Sequence, residues 1–136
     1  MSHFFSVAAR KLATFLGTFF VFALFAACSS QTSETPESVT DDYIKAVAEN
    51  RLDEALGYFA RGDAKEKDEI KTRTEDLYLR LQEKGGFDSV SSNLVDKNDD
   101  GTRTRVEVEV KYKSGDTDSG QMDLIKESGK WKIQLR

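Results

Sequence analysis

Thr102-Arg103-Thr104-Arg105-Val106-Glu107-Val108-Glu109-Val110-Lys111-Tyr112-Lys113 is the stretch whose reading decides the fold. Thr104, Val106, Val108, Val110 and Tyr112 fall on one face, and Arg105, Glu107, Glu109, Lys111 and Lys113 on the other. This alternation is the mark of an antiparallel strand with one dry and one wet face. Such a strand needs neighbours, and the flanking sequence supplies them. Ser114-Gly115-Asp116 and Ser128-Gly129 are turn signals. They set off Met122-Asp123-Leu124-Ile125 and then Lys130 to Leu135, where Trp131, Ile133 and Leu135 alternate with Lys130, Lys132 and Gln134. With a first strand near Phe87 to Asp96, the C-terminal half predicts a four-stranded meander. Val108 and Trp131 are placed in its core.

Before Gly85-Gly86 the apolar period is that of a helix. Thr35-Pro36-Glu37 reads as a helix start, with Thr35 as N-cap, Pro36 at the first helical position and acids in the first turn. Val39, Tyr43, Ala46 and Val47 then share a face that ends near Asn50, a residue able to take the left-handed conformation that closes a helix. A second short helix is predicted to carry Leu52, Ala55, Leu56 and Phe59 as an apolar stripe. In the charged segment from Ala64 to Lys84, Ile70, Leu77 and Leu81 form a narrow stripe, with Glu69 and Arg73, and Asp76 and Arg80, as i,i+4 ion pairs. Gly85-Gly86 closes this third helix. Three helices followed by a four-stranded antiparallel sheet make an α+β fold. Tyr43, Tyr58 and Phe59 are read as core or as the lining of a ligand pocket.

The N-terminus carries a different kind of information. Arg10 and Lys11 precede an uncharged, Phe- and Leu-rich run of 16 residues from Leu12 to Ala27. A basic start, an apolar centre and small residues at the end describe a secretory signal, and the run is short of the roughly 20 residues a spanning helix needs. Leu24-Phe25-Ala26-Ala27-Cys28 resembles the lipobox of bacterial lipoproteins, with Phe25 where that pattern prefers Leu. The resemblance implies cleavage after Ala27, diacylglyceryl attachment to the Cys28 thiol and acylation of the new amino terminus. It also implies sorting to the outer membrane, since no Asp follows the cysteine. Stable anchoring takes two or more acyl chains. Residues 1–27 are thus expected to be a signal peptide, residues 28–35 a lipidated cysteine with a flexible tether, and residues 36–136 the folded domain. The expected location is the bacterial envelope, lipid-anchored at the outer membrane and facing the periplasm.

Residues 1–27 hold two of the 20 basic groups, none of the 24 acidic ones and the sole histidine, so residues 28–136 carry a net charge of −6. An acidic chain lacks the clustered Lys and Arg that nonspecific nucleic-acid binding requires, and nucleic acid is excluded as a partner. A single cysteine excludes an internal disulfide.

Asp96-Lys97-Asn98-Asp99-Asp100-Gly101, followed by Glu107, satisfies the spacing of a calcium loop, with oxygens at positions 1, 3 and 5, glycine at 6 and Glu at 12. The context speaks against it. Arg103 occupies a position usually apolar, no helix flanks the segment, and Glu107 lies mid-strand, roughly 20 Å from Gly101 along an extended chain. A hairpin turn explains the same residues, and no metal or other cofactor is expected.

Thr35-Pro36-Glu37 with Tyr43 and Ala46, Arg51-Leu52-Asp53-Glu54-Ala55-Leu56 with Tyr58-Phe59, and Gly129-Lys130-Trp131-Lys132-Ile133 together resemble the small bacterial lipoproteins of domain of unknown function 4878. The resemblance implies the nuclear transport factor 2-like fold, in which a strongly curved sheet wraps around the helices as a cone with an inner cavity. The family has no assigned catalytic residues to carry over. The functional expectation is a membrane-tethered binding or assembly module, not an enzyme, that contacts a small apolar ligand or another envelope protein. The alternative is an envelope enzyme using the cavity for acid/base chemistry, which without histidine rests on Asp123, Tyr43 or Tyr58. A cystatin-type inhibitor is a third reading, but the Gln-x-Val-x-Gly signature is absent.

Overall fold

The computed structural model describes residues 34–136. The expected signal peptide, Cys28 and the tether residues before Glu34 lie outside the described residues. The elements run α1 (Pro36–Ala48), α2 (Leu52–Leu56), α3 (Ala64–Glu83), β1 (Phe87–Lys97), β2 (Arg103–Tyr112), β3 (Thr117–Glu127) and β4 (Lys130–Gln134). The four strands form one antiparallel sheet in sequence order. This is the α+β arrangement that the alternation and the helical stripes imply.

Local chemistry explains where the helices begin and end. Thr35 Oγ1 accepts from the Ser38 amide at 3.1 Å and Ser38 Oγ accepts from the Thr35 amide at 3.0 Å, a reciprocal box that satisfies two free donors. Asp63 and Glu66 form the same box at the start of α3. Asn50 takes a φ of 58° just beyond α1, as its short polar side chain allows. Gly85 and Gly86 have φ of 83° and 108°. This left-handed pair lets the Gly86 amide reach back to the Leu81 carbonyl while its own carbonyl accepts from Lys113.

The core lies between α1 and the inner face of the sheet. Val106, Val108, Val110 and Tyr112 from β2 are buried with Leu124, Trp131 and Ile133, against Tyr43, Ala46 and Val47 of α1. Each fully buried apolar side chain contributes about 1.5–3 kcal/mol before entropy is counted. The wet face of β2 keeps Glu107, Glu109 and Lys111 exposed. Asp41 accepts from Ser92 Oγ at 2.6 Å, tying α1 to β1.

Several expectations are corrected. Helix α2 ends at Leu56, so Phe59 does not continue its stripe. After a turn through Gly57 and Tyr58, Phe59 forms an isolated parallel bridge to Ile133 of β4: Ile133 N–H donates to the Tyr58 carbonyl and Ala60 N–H to the Ile133 carbonyl, both at 2.8 Å. Strand β3 begins at Thr117, five residues before the apolar stretch that marks it, because the backbone of β2 needs partners along its whole length. Arg73 pairs with Glu69 at 2.6 Å as expected. Arg80 instead turns to Asp118 on β3, at 4.0 Å.

The candidate calcium loop is a hairpin turn. Asn98 N–H donates to the Arg103 carbonyl, and the Asp100 carboxylate accepts from the Thr102 amide at 2.9 Å and from its hydroxyl at 2.6 Å. Those bonds hold the Asp100 carboxyl below the usual carboxylate range. Glu107 lies within β2, opposite Asn93 and Gln121.

Candidate functional site

Strand β4 is five residues long and pairs only with Asp123–Glu127, so it leaves the first half of the eleven-residue β3 without a partner on that side. A cleft of about 350 Å³ opens where β4 stops, between that part of β3 and the face of α3. Its volume is at the lower end of the roughly 300–1,000 Å³ typical of small-molecule sites. Tyr43, Phe59, Leu77, Met122, Ile133 and Leu135 supply apolar surface. Arg73, Asp76 and Arg80 from α3 and Gln121, Asp123, Gln134 and Arg136 from the sheet side supply the polar rim. The α3 contributors fall at i, i+3, i+4 and i+7, one face of a helix.

Tyr43 and Phe59 meet edge to face, with ring centroids 5.2 Å apart. The Tyr43 hydroxyl shares a hydrogen bond of 3.3 Å with Thr74 Oγ1, inside the helix pair. Burial pushes the Tyr43 phenol up, outweighing the opposite pulls of Thr74 and Arg73. It therefore keeps its proton and is poorly placed as a base.

Asp123 is the least exposed carboxylate of the cleft, with 16% of its side chain accessible. It is bracketed by two cations. Arg105 Nε donates to Oδ1 at 2.9 Å and Arg136 Nε approaches Oδ2. A carboxylate held by charge-assisted bonds on both oxygens is a structural acceptor more than a free base. A second, more polar cleft of about 340 Å³ shares Asp123, Gln134, Leu135 and Arg136 with the first and extends towards Arg103 and Asp96.

Of the residues singled out from sequence, Tyr43 and Phe59 come together in the cleft wall, and Asp123 joins them on the rim. Val108 and Trp131 are core residues, 5% and 7% exposed. Tyr58 is half-buried against the core and does not line the cleft. The contributions of Leu77, Arg80, Met122 and Arg136 were not legible beforehand. The i, i+3, i+4, i+7 spacing of Arg73, Asp76, Leu77 and Arg80 was the one available signal.

At the β2–β3 end, Tyr112 donates to Asp118 Oδ2 at 2.6 Å, and Lys84 reaches Oδ1 at 3.2 Å while lying 4.7 Å from the centre of the Tyr112 ring. Burial first, and then the Asp118 carboxylate, push the Tyr112 phenol up to about 12. The bonds from Tyr112 and Lys84 hold Asp118 below the usual carboxylate range. This knot pins the end of α3 to the sheet beside the cleft.

The family model for Domain of unknown function (DUF4878) matches residues 27–134. A solved structure from Campylobacter jejuni, named as a candidate NTF2-like transpeptidase, aligns with a TM-score of 0.62 at 17% identity, covering 76% of this chain and 100% of that one. At that identity the likeness is one of fold, and the fold is nuclear transport factor 2-like. No curated protein matches the chain.

Proposed function

The chain belongs to the family described as Domain of unknown function (DUF4878), and on that premise we propose that it is a non-catalytic binding module held at the bacterial envelope by lipid on Cys28. The observation that carries the binding reading is the state of the groups in the cleft. Its floor is apolar, the Tyr43 phenol keeps its proton, and Asp123 spends both oxygens on arginines. Sites of this shape hold ligands through apolar contact with a few polar groups for orientation. The cone-like wrapping of the sheet around the helices belongs to the same reading.

The name of the Campylobacter jejuni protein favours catalysis as the second reading. A transpeptidase needs a nucleophile, and among the described residues those lining this cleft include no Ser, Thr, Cys or His. The binding reading is tested with Nile red, a neutral apolar dye, added to a fragment of residues 34–136. Saturable fluorescence, lost when Leu77→Trp fills the cleft without lowering the melting temperature, supports it. Turnover of any substrate, abolished by Asp123→Asn in a stably folded fragment, would replace it with the enzymatic reading.

For the anchor, the support is the sequence Phe25-Ala26-Ala27-Cys28 together with a family match that starts at residue 27. In this reading residues 1–27 are removed, residues 28–35 tether and residues 36–136 form the domain. Cells carrying Cys28→Ala should release the domain from the membrane fraction. Continued sedimentation with membranes would refute lipid anchoring.

A further inference from the structure

The two edges of the sheet are built differently. Strand β1 is blunted: its register with β2 slips at Asp88 and again at Val95, and Asp88, Asp96 and Lys97 put exposed charge along it. Bulges and charges of this kind keep an edge from pairing with another chain. The opposite edge is formed by β4 as far as Gln134, which lies opposite Asp123, and beyond that point by β3 itself. From Thr117 to Met122 this stretch keeps an unbroken register with β2 and has no proline. Its only charged side chain, Asp118, is turned to Tyr112 and Lys84. None of the devices that protect β1 is present.

The ladder fixes where the backbone groups point. Tyr112 N–H donates to the Asp116 carbonyl and Lys126 N–H to the Thr102 carbonyl, so the even-numbered residues of β3 turn their backbone groups to β2. The odd-numbered ones turn the other way, Asp123, Ile125 and Glu127 to β4 and Thr117, Ser119 and Gln121 to the open side. These last three are exposed, and among the described residues no strand meets their N–H and C=O groups. Side chains alternate at right angles to this. Met122 and Gly120 lie opposite the buried Val106 and Val108, on the helix side where the cleft opens against Leu77. A side chain at Gly120 would meet nothing within 4 Å, which leaves room over bare backbone. A large side chain from a neighbouring strand covers such a glycine well.

Resting on the binding reading above, we propose that the open edge of β3 binds an extended segment of another polypeptide, added antiparallel to β3 as a continuation of β4. Strand β4 shows what this edge accepts, with Trp131 and Ile133 buried and Lys130 and Gln134 exposed. The partner segment alternates in the same way. It places a large apolar side chain over Gly120 and small polar ones beside Ser119 and Gln121. Its main chain supplies the affinity, and the cleft reads the inward side chain. A second copy of this chain fits less well: antiparallel pairing centred on Ser119 brings Gly115 of that copy opposite Asp123, where Gln134 already lies.

The test is calorimetric titration of the fragment of residues 34–136, which carries every described element, with the peptide acetyl-Val-Thr-Phe-Thr-Ala-Thr-amide. Its Phe falls opposite Gly120 and its Thr residues opposite Gln121, Ser119 and Thr117. Saturable one-to-one binding is expected. N-methylation of the middle Thr removes one main-chain donor and should weaken binding on the order of tenfold. In the domain, Ser119→Pro deletes an N–H that faces the open side, a place where an edge strand tolerates proline. The melting temperature should hold while binding is lost. If Ser119→Pro unfolds the fragment, the methylated peptide decides alone. Equal affinity for the methylated and unmethylated peptides, or no binding of either, overturns strand addition. So does a fragment that sediments as a dimer and is made monomeric by Ser119→Pro, which assigns the edge to a second copy. Saturable Nile red fluorescence without peptide binding leaves the binding module standing, and absence of both removes it.

Discussion

Arg105 and Asp123 stand directly opposite one another in the β2–β3 ladder, and their side chains close the pair with an Nε to Oδ1 bond of 2.9 Å. Directly opposed residues of opposite charge support strand pairing, and here both residues line the more polar cleft while Asp123 also reaches the rim of the apolar one. The strand that decides the fold thus also neutralises the carboxylate that a catalytic reading would need.

Asp123→Ala should destabilise the domain by about 1–3 kcal/mol, because it strips the acceptor from partly buried donors. A double-mutant cycle with Arg105→Ala isolates the pair itself, and a coupling of roughly 0.5 kcal/mol or more is expected for residues in direct contact. Strict additivity in urea unfolding would show that the pair is not formed in solution.

Trp131 is 7% exposed, packs within the α1–sheet core and has Lys126 Nζ 5.2 Å from its ring centre. Trp131→Ala should cost about 3–5 kcal/mol, measured as a fall in the urea midpoint of the fragment of residues 34–136. A midpoint that barely moves would contradict the packing of β4.

Tyr112 links stability to alkaline pH. Its phenol titrates at about 12 in the folded chain, above the ordinary value of 10.0. A group whose folded pKa is raised contributes stability that is complete below the unfolded pKa and is lost as pH rises through the folded one. Stability should therefore fall between about pH 10 and 12, with a Tyr112 share on the order of 2–3 kcal/mol. Tyr112→Phe should flatten that fall. An unchanged slope between the two proteins would show that Tyr112 is not the group responsible.

Asp100 serves its own turn, so millimolar calcium should leave the melting temperature where it is, since only a ligand that binds the native state raises it. Asp100→Ala should lower the melting temperature slightly, with or without calcium. The carboxyl is held below its ordinary pKa by Thr102, so its contribution is present above the ordinary carboxylate range and fades as pH falls through the lowered value. A chelator-reversible gain in stability that disappears in Asp100→Ala would restore the calcium loop.

Strands and helices were readable because their signals are local. The alternation from Thr104 to Tyr112 specifies which side chains face inward whatever the strand is paired with, and all five are buried. Thr35 with Pro36, Asn50, and Gly85 with Gly86 mark boundaries through the φ values and donors of a few adjacent residues. The composition after residue 27, acidic and without histidine, is equally independent of the fold.

Tertiary structure alone decided the features that depend on distant partners. Thr117 to Gln121 carries no apolar pattern and is a strand only because β2 lies beside it. Phe59 leaves the helical stripe because Ile133 offers backbone partners to its neighbours, which a five-residue helix cannot outweigh. Arg80 has Asp76 within reach along its own helix but turns to Asp118, already the focus of Tyr112 and Lys84. The cleft follows from β4 stopping short of the start of β3. Its ion pairs join side chains far apart in sequence around Asp118 and Asp123, and local periodicity does not encode such pairing.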